Sequence, residues 1–352
     1  MKLAVIGSAE LLDLTGETGK AGYLLSEMKS LGYWVDSNRG ADCLIAIDHN
    51  ESQYNKYLAN GGNPKNCFLI RLEPKCVFPS QYSSRVEKKY RKIFSPGLLQ
   101  NSGKLPPQFG WVYRYDLNPI NLSLRSPTLD EIFQGLRVEE SDLFENWKKR
   151  NIRLSMITGN KVSPIRNSNY PLRRKLARKI GGNELKIFGT LWIDPWYIRL
   201  IDRLAGVKFA LQNRTLPDIT QVFQGVIGKY PSAGKIRNKH EILSSSQFTI
   251  AIENSNTYVS EKLFDALVNG TIPIYIGPEL ESAGLPSEIA IQSNGESEDI
   301  LEIISTITQE QVKKILAAGR EFLLSAQFRD EWTETSIYRK IALEINEMCR
   351  GA

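Results

Sequence analysis

The chain has 352 residues, more than one typical domain needs, and this length suggests about two domains. A hydrophobic content of 41% and a charged content of 24% describe an ordinary globular protein and argue against a disordered or fibrous one. The formal net charge of +6 suits an anionic ligand or a membrane surface. Nucleic-acid binding would need clustered basic residues interleaved with aromatic ones, and no such stripe is present, so we expect no nucleic-acid partner.

Residue types that bind metals are scarce. The four cysteines have no Cys-x-x-Cys spacing and there are two histidines, so the sequence predicts no metal site of these types and favours free thiols in a reducing compartment. No apolar run reaches the length of a transmembrane helix, and the segment Met1–Gly7 suits a β-strand better than a signal sequence. We therefore expect a cytoplasmic, bacterial protein without a transmembrane segment, with peripheral membrane contact left open.

Apolar runs alternate with helical spacing in the first part of the chain. Strands are predicted at Lys2–Ile6, Asp42–Asp48 and Asn66–Arg71, and a helix over about 21–31. Strands that alternate with helices indicate an open parallel sheet.

The segment Gly16–Lys20 invites comparison with a phosphate-binding P-loop, which it does not match. Leu14 stands where the first glycine belongs, and Ala21 replaces the Ser or Thr that would bind magnesium. A turn before a helix is the favoured interpretation.

A second alternating unit follows a domain boundary that we place at residue 150. It is predicted to contain a strand at Arg153–Thr158, a basic helix near Tyr170–Ile180 and a strand at Leu185–Phe188. Helices over Gln309–Leu324 and Asp330–Met348 are predicted to end the chain.

The most informative segment is 248–278. Phe248–Ile252 and Thr271–Ile276 are short apolar runs typical of buried strands, and Ser260 is a predicted N-cap of a helix that ends at Gly270. Two parallel strands joined by a crossover helix present the N-terminus of that helix at the carboxyl edge of the sheet, where anions bind.

Six polar residues fall at this edge: Glu253, Asn254, Tyr258, Ser260, Glu261 and Lys262. A carboxylate can hold ribose hydroxyls, while a neighbouring ammonium and the helix dipole hold a diphosphate. An ordinary βαβ unit whose polar residues solvate the edge is the alternative, but the complete string favours a nucleotide site.

The segment closely resembles the donor-site signature of the α-1,3/4-fucosyltransferases, glycosyltransferase family 10. That pattern contains Phe, then Glu-Asn, a loop, Tyr-(Ile/Val)-(Thr/Ser)-Glu-Lys, Ala-Leu, Gly and (Val/Ile)-Pro-(Val/Ile), and nearly every position is filled here. The loop between Asn254 and Tyr258 is shorter than the family's usual one.

The resemblance implies an α/β protein of the GT-B fold, with two Rossmann-like domains whose parallel sheets face an interdomain cleft. Residues 1–150 would bind the acceptor and residues 151–325 the nucleotide-sugar donor. Residues 326–352 would form a C-terminal helix that packs back on the first domain.

Arg71–Pro74 resembles the family element that carries the proposed catalytic base, which implies that Glu73 is the base. Deprotonating a sugar hydroxyl during attack needs a carboxylate in a partly enclosed site, a role typically worth ~10²–10⁴-fold. A solvated glutamate at a strand end is the alternative.

Two further stretches resemble the family. Trp111, Tyr113 and Arg114 match an aromatic element and, with Glu253, are candidate cleft residues, although Arg114 could instead pair with Asp116 in a structural role.

Ser163–Asn167 resembles the stretch in which an arginine contacts the nucleotide diphosphate, which implies that role for Arg166. The alternative is that Arg166 belongs to a basic, solvated helix start together with Arg173 and Arg174.

The function implied is transfer of L-fucose from GDP-β-L-fucose, with inversion, to a glycan hydroxyl, with an α-1,3 linkage to GlcNAc or Glc expected. Arg166 and Lys262 would neutralise the leaving diphosphate, Glu261 would hold ribose hydroxyls, and Asn254 and Tyr258 would complete the donor pocket. No cofactor beyond the donor and no divalent metal would be essential. The alternatives are a GT-B transferase of another nucleotide sugar and a non-catalytic relative that binds glycan or nucleotide.

Overall fold

The computed structural model describes residues 1–7, 22–36, 40–95, 140–163, 168–182, 184–201, 228–236 and 238–351, together with residues 204, 207, 223 and 226. The chain divides into two compact units. Met1–Leu129 and Gln327–Ala352 form the amino-terminal unit, and Asp130–Ala326 form the carboxy-terminal unit. The acceptor and donor roles expected of the two halves stay predictions.

The amino-terminal unit is built on a five-stranded parallel sheet in the order β2-β1-β3-β4-β5. Its strands are β1 (Lys2–Gly7), β2 (Trp34–Val35), β3 (Cys43–Ile47), β4 (Cys67–Ile70) and β5 (Lys92–Phe94). Its helices are α1 (Gly22–Ser30), α2 (Glu51–Ala59), α3 (Ser84–Glu87) and, from the end of the chain, α10 (Glu334–Arg350). Every residue of β3 and β4 is buried, as expected of parallel strands covered on both faces.

Helix α10 packs against α1 and one face of the sheet. Its buried residues Ile337, Ile341 and Ile345 recur every fourth position and join the core that contains Leu24 and Met28. This spacing places one apolar stripe against the unit. The predicted helix Asp330–Met348 begins at Glu334 instead, because Phe328–Trp332 forms a separate π-helical turn before the N-cap Thr333.

The carboxy-terminal unit contains a second five-stranded parallel sheet, in the order β10-β9-β8-β6-β7. Its strands are β6 (Ile152–Ile157), β7 (Lys186–Phe188), β8 (Ser246–Ile252), β9 (Ile272–Ile276) and β10 (Ile291–Gln292). Its helices are α4 (Glu140–Lys148), α5 (Tyr170–Lys179), α6 (Lys239–Ser244), α7 (Glu261–Val268), α8 (Ser297–Thr306) and α9 (Gln309–Leu324). Residues 196–201 are also helical.

Helix α4 belongs to this second unit. Phe144 and Trp147 are buried in its core, and the indole nitrogen of Trp147 donates to the backbone oxygen of Gln247 at 2.7 Å. These two aromatic residues therefore hold α4 against the central strand of the sheet, β8.

The register of the central strands brings their carboxyl ends level. Ile252 of β8 pairs with Ile276 of β9, and the next residue, Glu253, donates its backbone N–H to the oxygen of Ile276 at 2.8 Å. The polar residues after β8 therefore start at the edge of the sheet.

Candidate functional site

The site is built where β8 ends and α7 begins. Ser260 has an extended backbone and caps α7, its hydroxyl accepting from the backbone N–H of Lys262 at 3.4 Å. Leu263, Phe264 and Leu267 bury one face of the helix. This burial fixes α7 against the sheet, so the N-terminus of the helix lies at the sheet edge.

Glu253 is fully buried and ties the end of β8 to the start of α7. One carboxylate oxygen accepts the backbone N–H of Ser260 at 2.7 Å, and the other accepts the Ser260 hydroxyl at 2.5 Å. The same oxygen lies 3.4 Å from Nζ of Lys262. Burial raises the pKa of the Glu253 carboxyl, while the Lys262 charge and the Ser260 hydrogen bonds act in the opposite direction.

The Lys262 ammonium is held in place by this network. Its Nζ donates to the Ser260 hydroxyl at 2.8 Å and lies 4.0 Å from a carboxylate oxygen of Glu261. About a fifth of its side chain is exposed, 21%. An ammonium has three donors, so Ser260 and Glu253 leave one for a ligand anion. A positioned cation at a helix N-terminus is suited to a diphosphate.

The other predicted donor-site residues of this unit lie along the same connection. Asn254 follows Glu253 directly, Tyr258 is buried, and Glu261 is the first residue of α7 with 34% of its side chain exposed. The structure thus places Asn254, Tyr258, Glu261 and Lys262 on one strand–helix connection, while their contacts with a ligand stay predictions. Glu253 is a buried structural anchor within it.

A buried arginine that the sequence did not assign to the site contacts Asn254. Arg173 of α5 is 3% exposed and donates through Nη2 to Oδ1 of Asn254 at 2.6 Å and to the backbone oxygen of Ile252 at 3.2 Å. Its guanidinium also lies over the Tyr170 ring, 4.6 Å from the centroid.

The alternative interpretation, a solvated basic helix start, therefore does not fit two of its three arginines. Arg174 is 1% exposed and donates to the backbone oxygen of Lys161 at 2.9 Å, and Arg173 is almost as deeply buried. Both donate from terminal guanidinium nitrogens to carbonyl or amide oxygens, which offsets part of the cost of their burial. The third, Arg166, lies outside the described residues, as do the candidate cleft residues Trp111, Tyr113 and Arg114.

The predicted base, Glu73, lies in the amino-terminal unit three residues beyond β4. It is half-buried, and its backbone oxygen accepts the Tyr82 hydroxyl at 3.0 Å. Arg71 anchors the preceding backbone from inside, with its guanidinium 4.0 Å from the Tyr82 ring centroid and 2.9 Å from a carboxylate oxygen of Glu87. The backbone around Glu73 is thus held in place by Tyr82 and Arg71.

Sequence reasoning missed a polar network beside β3. The His49 ring lies 2.6 Å from the Tyr90 hydroxyl and 2.8 Å from a Glu51 carboxylate oxygen, and Lys89 donates to the other Glu51 oxygen at 2.7 Å. Burial lowers the pKa of His49, so the neutral ring donates from Nε2 to Glu51 and accepts from Tyr90. The available signal was Asn50-Glu51 directly after a buried strand, a typical helix start that Asn50 caps.

Two features are absent from the part of the chain that the structure describes. No group of three or more His, Cys, Asp or Glu side chains in that part of the chain could hold a metal ion. Across the same residues, no helix combines the length and the apolar composition that crossing a membrane needs.

Residues 218–312 match the model of the glycosyltransferase family 10 (fucosyltransferase) C-terminal domain. Among solved structures, an α1,3-fucosyltransferase with GDP is similar, with 13% identity, coverage of 100% of this chain and 90% of that chain, and a TM-score of 0.53. A glycosyltransferase from Rickettsia africae ESF-5 has 12% identity over 99% of this chain and 98% of its own, with a TM-score of 0.47. Anabaena Alr3699/HepE in complex with UDP has 10% identity over 99% and 100%, with a TM-score of 0.49.

None of the curated proteins with which the chain was compared matches it. The predicted fold class is confirmed, since the chain contains two parallel-sheet α/β units and is similar over its whole length to a GT-B glycosyltransferase. The interdomain cleft itself stays a prediction.

Proposed function

From the glycosyltransferase family 10 domain that this chain carries in residues 218–312, we propose that it is a fucosyltransferase that uses GDP-β-L-fucose. The observation that carries the proposal is the network of Glu253, Ser260 and Lys262, which fixes an ammonium at the N-terminus of α7 within the matched segment. The predicted recognition of family 10 is confirmed by that match, and the enzyme class is a glycosyltransferase.

The donor diphosphate would bind at the start of α7. The remaining Lys262 donor and the positive end of the α7 helix dipole would meet its oxygens, with Arg166 as the expected second cation. Glu261, which is partly exposed at the first helical position, would accept bonds from ribose hydroxyls. Asn254 and Tyr258 would complete the pocket.

The reaction would be a displacement with inversion at the anomeric carbon. A glycan hydroxyl attacks that carbon while Glu73 takes its proton, and the bond to the diphosphate breaks with its electron pair leaving on GDP. The proposed product has an α-1,3 linkage to GlcNAc or Glc. The partial exposure of Glu73 and the firm anchoring of its backbone support its role as base.

We propose that a divalent metal is not essential to this chemistry, because the Lys262 ammonium and the helix N-terminus supply the positive charge that a leaving diphosphate needs. Turnover that is unchanged by EDTA would support this. Turnover that EDTA abolishes and manganese restores would overturn it.

Titration calorimetry with GDP, GDP-fucose, GDP-mannose and UDP tests the donor. Binding of GDP and GDP-fucose, with weaker GDP-mannose and UDP binding, is expected. Preference for another nucleotide would favour the alternative of a different nucleotide-sugar transferase, because the recognised residues contact the nucleotide more than the sugar.

A turnover assay with Glu73→Gln separates enzyme from binding protein. The variant should bind GDP-fucose as the wild type does and lose ~10²-fold or more of its turnover. Unchanged turnover in the variant would remove Glu73 from the mechanism. A wild-type protein that binds GDP-fucose but transfers no fucose would favour the non-catalytic alternative.

We also propose peripheral contact with an anionic membrane through an apolar face near residues 196–204. Trp196, Tyr197 and Ile201 fall on one side of the helical stretch 196–201, and with the helical residue Leu204 they are each more than half exposed, at 51–62%. Arg199 points the opposite way, buried, with Nη1 2.6 Å from the backbone oxygen of Gly228. Outward aromatic and aliphatic side chains on a chain of net charge +6 suit an anionic interface.

Co-sedimentation with phosphatidylglycerol and phosphatidylcholine vesicles tests this contact. Preferential binding to the anionic vesicles, reduced in a Trp196→Ser, Ile201→Ser double variant, is expected. Absence of vesicle binding, or a concentration-dependent dimer that the same variant abolishes, would overturn it.

A further inference from the structure

The buried guanidinium of Arg173 determines which way the Asn254 amide faces. Nη2 of Arg173 lies 2.6 Å from the Asn254 side chain. A guanidinium has only donors, so the amide atom that it contacts must be the oxygen, Oδ1. The amide nitrogen, Nδ2, therefore faces away from Arg173, and in the part of the chain that the structure describes no acceptor takes its protons.

Both ends of the Asn254 residue are held by the same helix. Its backbone oxygen accepts the N–H of Asn169, which precedes α5, at 2.8 Å, while Arg173 holds its side chain from the first turn of α5. Asn169 also donates from its side chain to Oδ1 of Asn256 at 2.7 Å. The connection after β8 is thus tied to α5 and its N-cap at Asn254 and Asn256, and the Asn254 amide cannot rotate without breaking a bond to a buried charge.

The anchor itself is rigid. Arg173 is 3% exposed, its second bond goes to the backbone oxygen of Ile252, the last residue of β8, and its guanidinium stacks on Tyr170. Losing the Asn254 oxygen would leave a buried guanidinium short of an acceptor, which penalises the flipped amide.

We propose that Arg173 is a positioning residue that presents Nδ2 of Asn254 as a hydrogen-bond donor to an oxygen of the nucleotide sugar, either a phosphate or a sugar oxygen. This rests on the proposed function, because it assumes that the ligand binds at the connection between β8 and α7. Arg173 acts through Asn254 and does not touch the ligand.

Asn254→Asp separates the contact with Arg173 from the hydrogen bond that Nδ2 is proposed to donate to the ligand. An aspartate keeps an oxygen for Arg173, as a charged pair, but turns the outward donor into an acceptor with negative charge. We expect wild-type or higher thermal stability together with at least tenfold weaker GDP-fucose binding by calorimetry, roughly the effect of losing one hydrogen bond to a charged group.

Arg173→Met and Arg173→Lys test the positioning role. The Met variant should raise the KM for the donor about tenfold with a smaller change in kcat, because Asn254 loses its orientation. The Lys variant, which keeps a donor at this place, should recover part of that loss. A double variant with Asn254→Ala should weaken binding no more than Asn254→Ala alone.

Arg174→Met is the matched control. Arg174 is the next residue on α5 and equally buried, but the bond that the structure describes for it goes to the backbone oxygen of Lys161. It should lose stability like Arg173→Met without the rise in KM.

Three results would overturn the inference: equal KM changes in the two Met variants, wild-type GDP-fucose binding by Asn254→Asp, or additive losses in the double variant. Failure of the proposed function is distinguishable, since the wild type would then prefer UDP or GDP-mannose, and the same variants would be compared with that nucleotide. A wild type that binds none of these nucleotides would overturn both.

Discussion

Each of the two units has a glutamate after the central strand of its sheet, and the pKa values of these two glutamates are shifted in opposite directions. Glu253 follows β8, is fully buried and has a raised pKa because burial penalises its charge. Glu51 follows β3, has 41% of its side chain exposed, and has its pKa lowered to about 2 by hydrogen bonds from Lys89 and His49. Each lies within hydrogen-bond or ion-pair distance of a lysine, so the degree of burial decides which way the pKa moves.

The contrast has a structural origin. Glu51 is the first residue of α2, and Asn50 caps that helix, so its carboxylate projects at the surface. Glu253 precedes the connection, and the capping Ser260 donates to it twice, which draws the carboxylate under the helix N-terminus. The buried Glu253 holds Lys262 at the N-terminus of α7, where we propose that the donor binds, whereas the Glu51 carboxylate that pairs with Lys89 is 41% exposed.

The largest expected effect is on catalysis. Lys262→Met should lower kcat/KM for the donor by ~10²–10³-fold, because a preorganised cation at the leaving diphosphate is lost. Lys179→Met is the control, since Lys179 pairs at the surface with Glu298 and its side chain is 54% exposed. Equal activity of the two variants, measured by GDP release, would contradict the role given to the Glu253 network.

The next effect concerns the tight fit around Glu253. A Cβ added at Gly277 would lie 2.9 Å from Cγ of Glu253 and closer still to the Tyr275 hydroxyl. Gly277→Ala should therefore destabilise the protein by about 1–3 kcal/mol, the usual range for overpacking a buried site. The free energy of unfolding from urea titration measures this, and a wild-type value would mean that the site is looser than the geometry indicates.

Removing the cap of α7 should cost more unfolding free energy than removing the cap of α2. Ser260→Ala removes the cap of α7 and one of the bonds to the buried Glu253, so we expect a loss of about 2 kcal/mol. Asn50→Ala removes only the cap of α2, whose oxygen accepts from Gln53 at 3.1 Å, for about 1 kcal/mol. Urea unfolding compares them, and a larger loss in Asn50→Ala would reverse the ranking of the two connections.

The smallest effect is on the pH dependence of stability. Because the folded pKa of Glu253 is raised, its contribution is complete below the ordinary value of 4.5 and declines as the pH rises through the folded pKa. Glu51 acts in the opposite sense: its contribution is present above 4.5 and is lost as the pH falls towards about 2, with an amplitude that solvent screening keeps small.

Glu253→Gln and Glu51→Gln separate these contributions. The difference in unfolding free energy between each variant and the wild type, followed against pH, should change in opposite directions for the two substitutions. Slopes of the same sign would show that burial does not distinguish the two carboxylates.

Several elements could be predicted because local patterns specify them. Gln309–Leu324 is helical as predicted, since its apolar period and the Thr308–Gln311 capping box agree. Ser260 caps α7 as predicted, because Ser before Glu-Lys and an apolar run is a local signal. Helix α2 was missed, since Glu51–Ala59 has a weak apolar stripe with only Tyr54 and Tyr57 buried.

The sequence by itself determined the alternation of strands and helices, the capped helix after β8 and the string of polar residues around the start of that helix, because periodicity, capping and motif spacing are local properties of the chain. The tertiary structure decided what each polar group meets: that Arg173 lies under Asn254, that Glu253 is an anchor, and that His49 joins Glu51. Arg173 and Asn254 are far apart in the sequence and meet only because β6 and β8 pair and α5 covers their end. Burial and hydrogen-bond partners depend on such pairings, and they decide whether the pKa of a carboxyl group is raised or lowered.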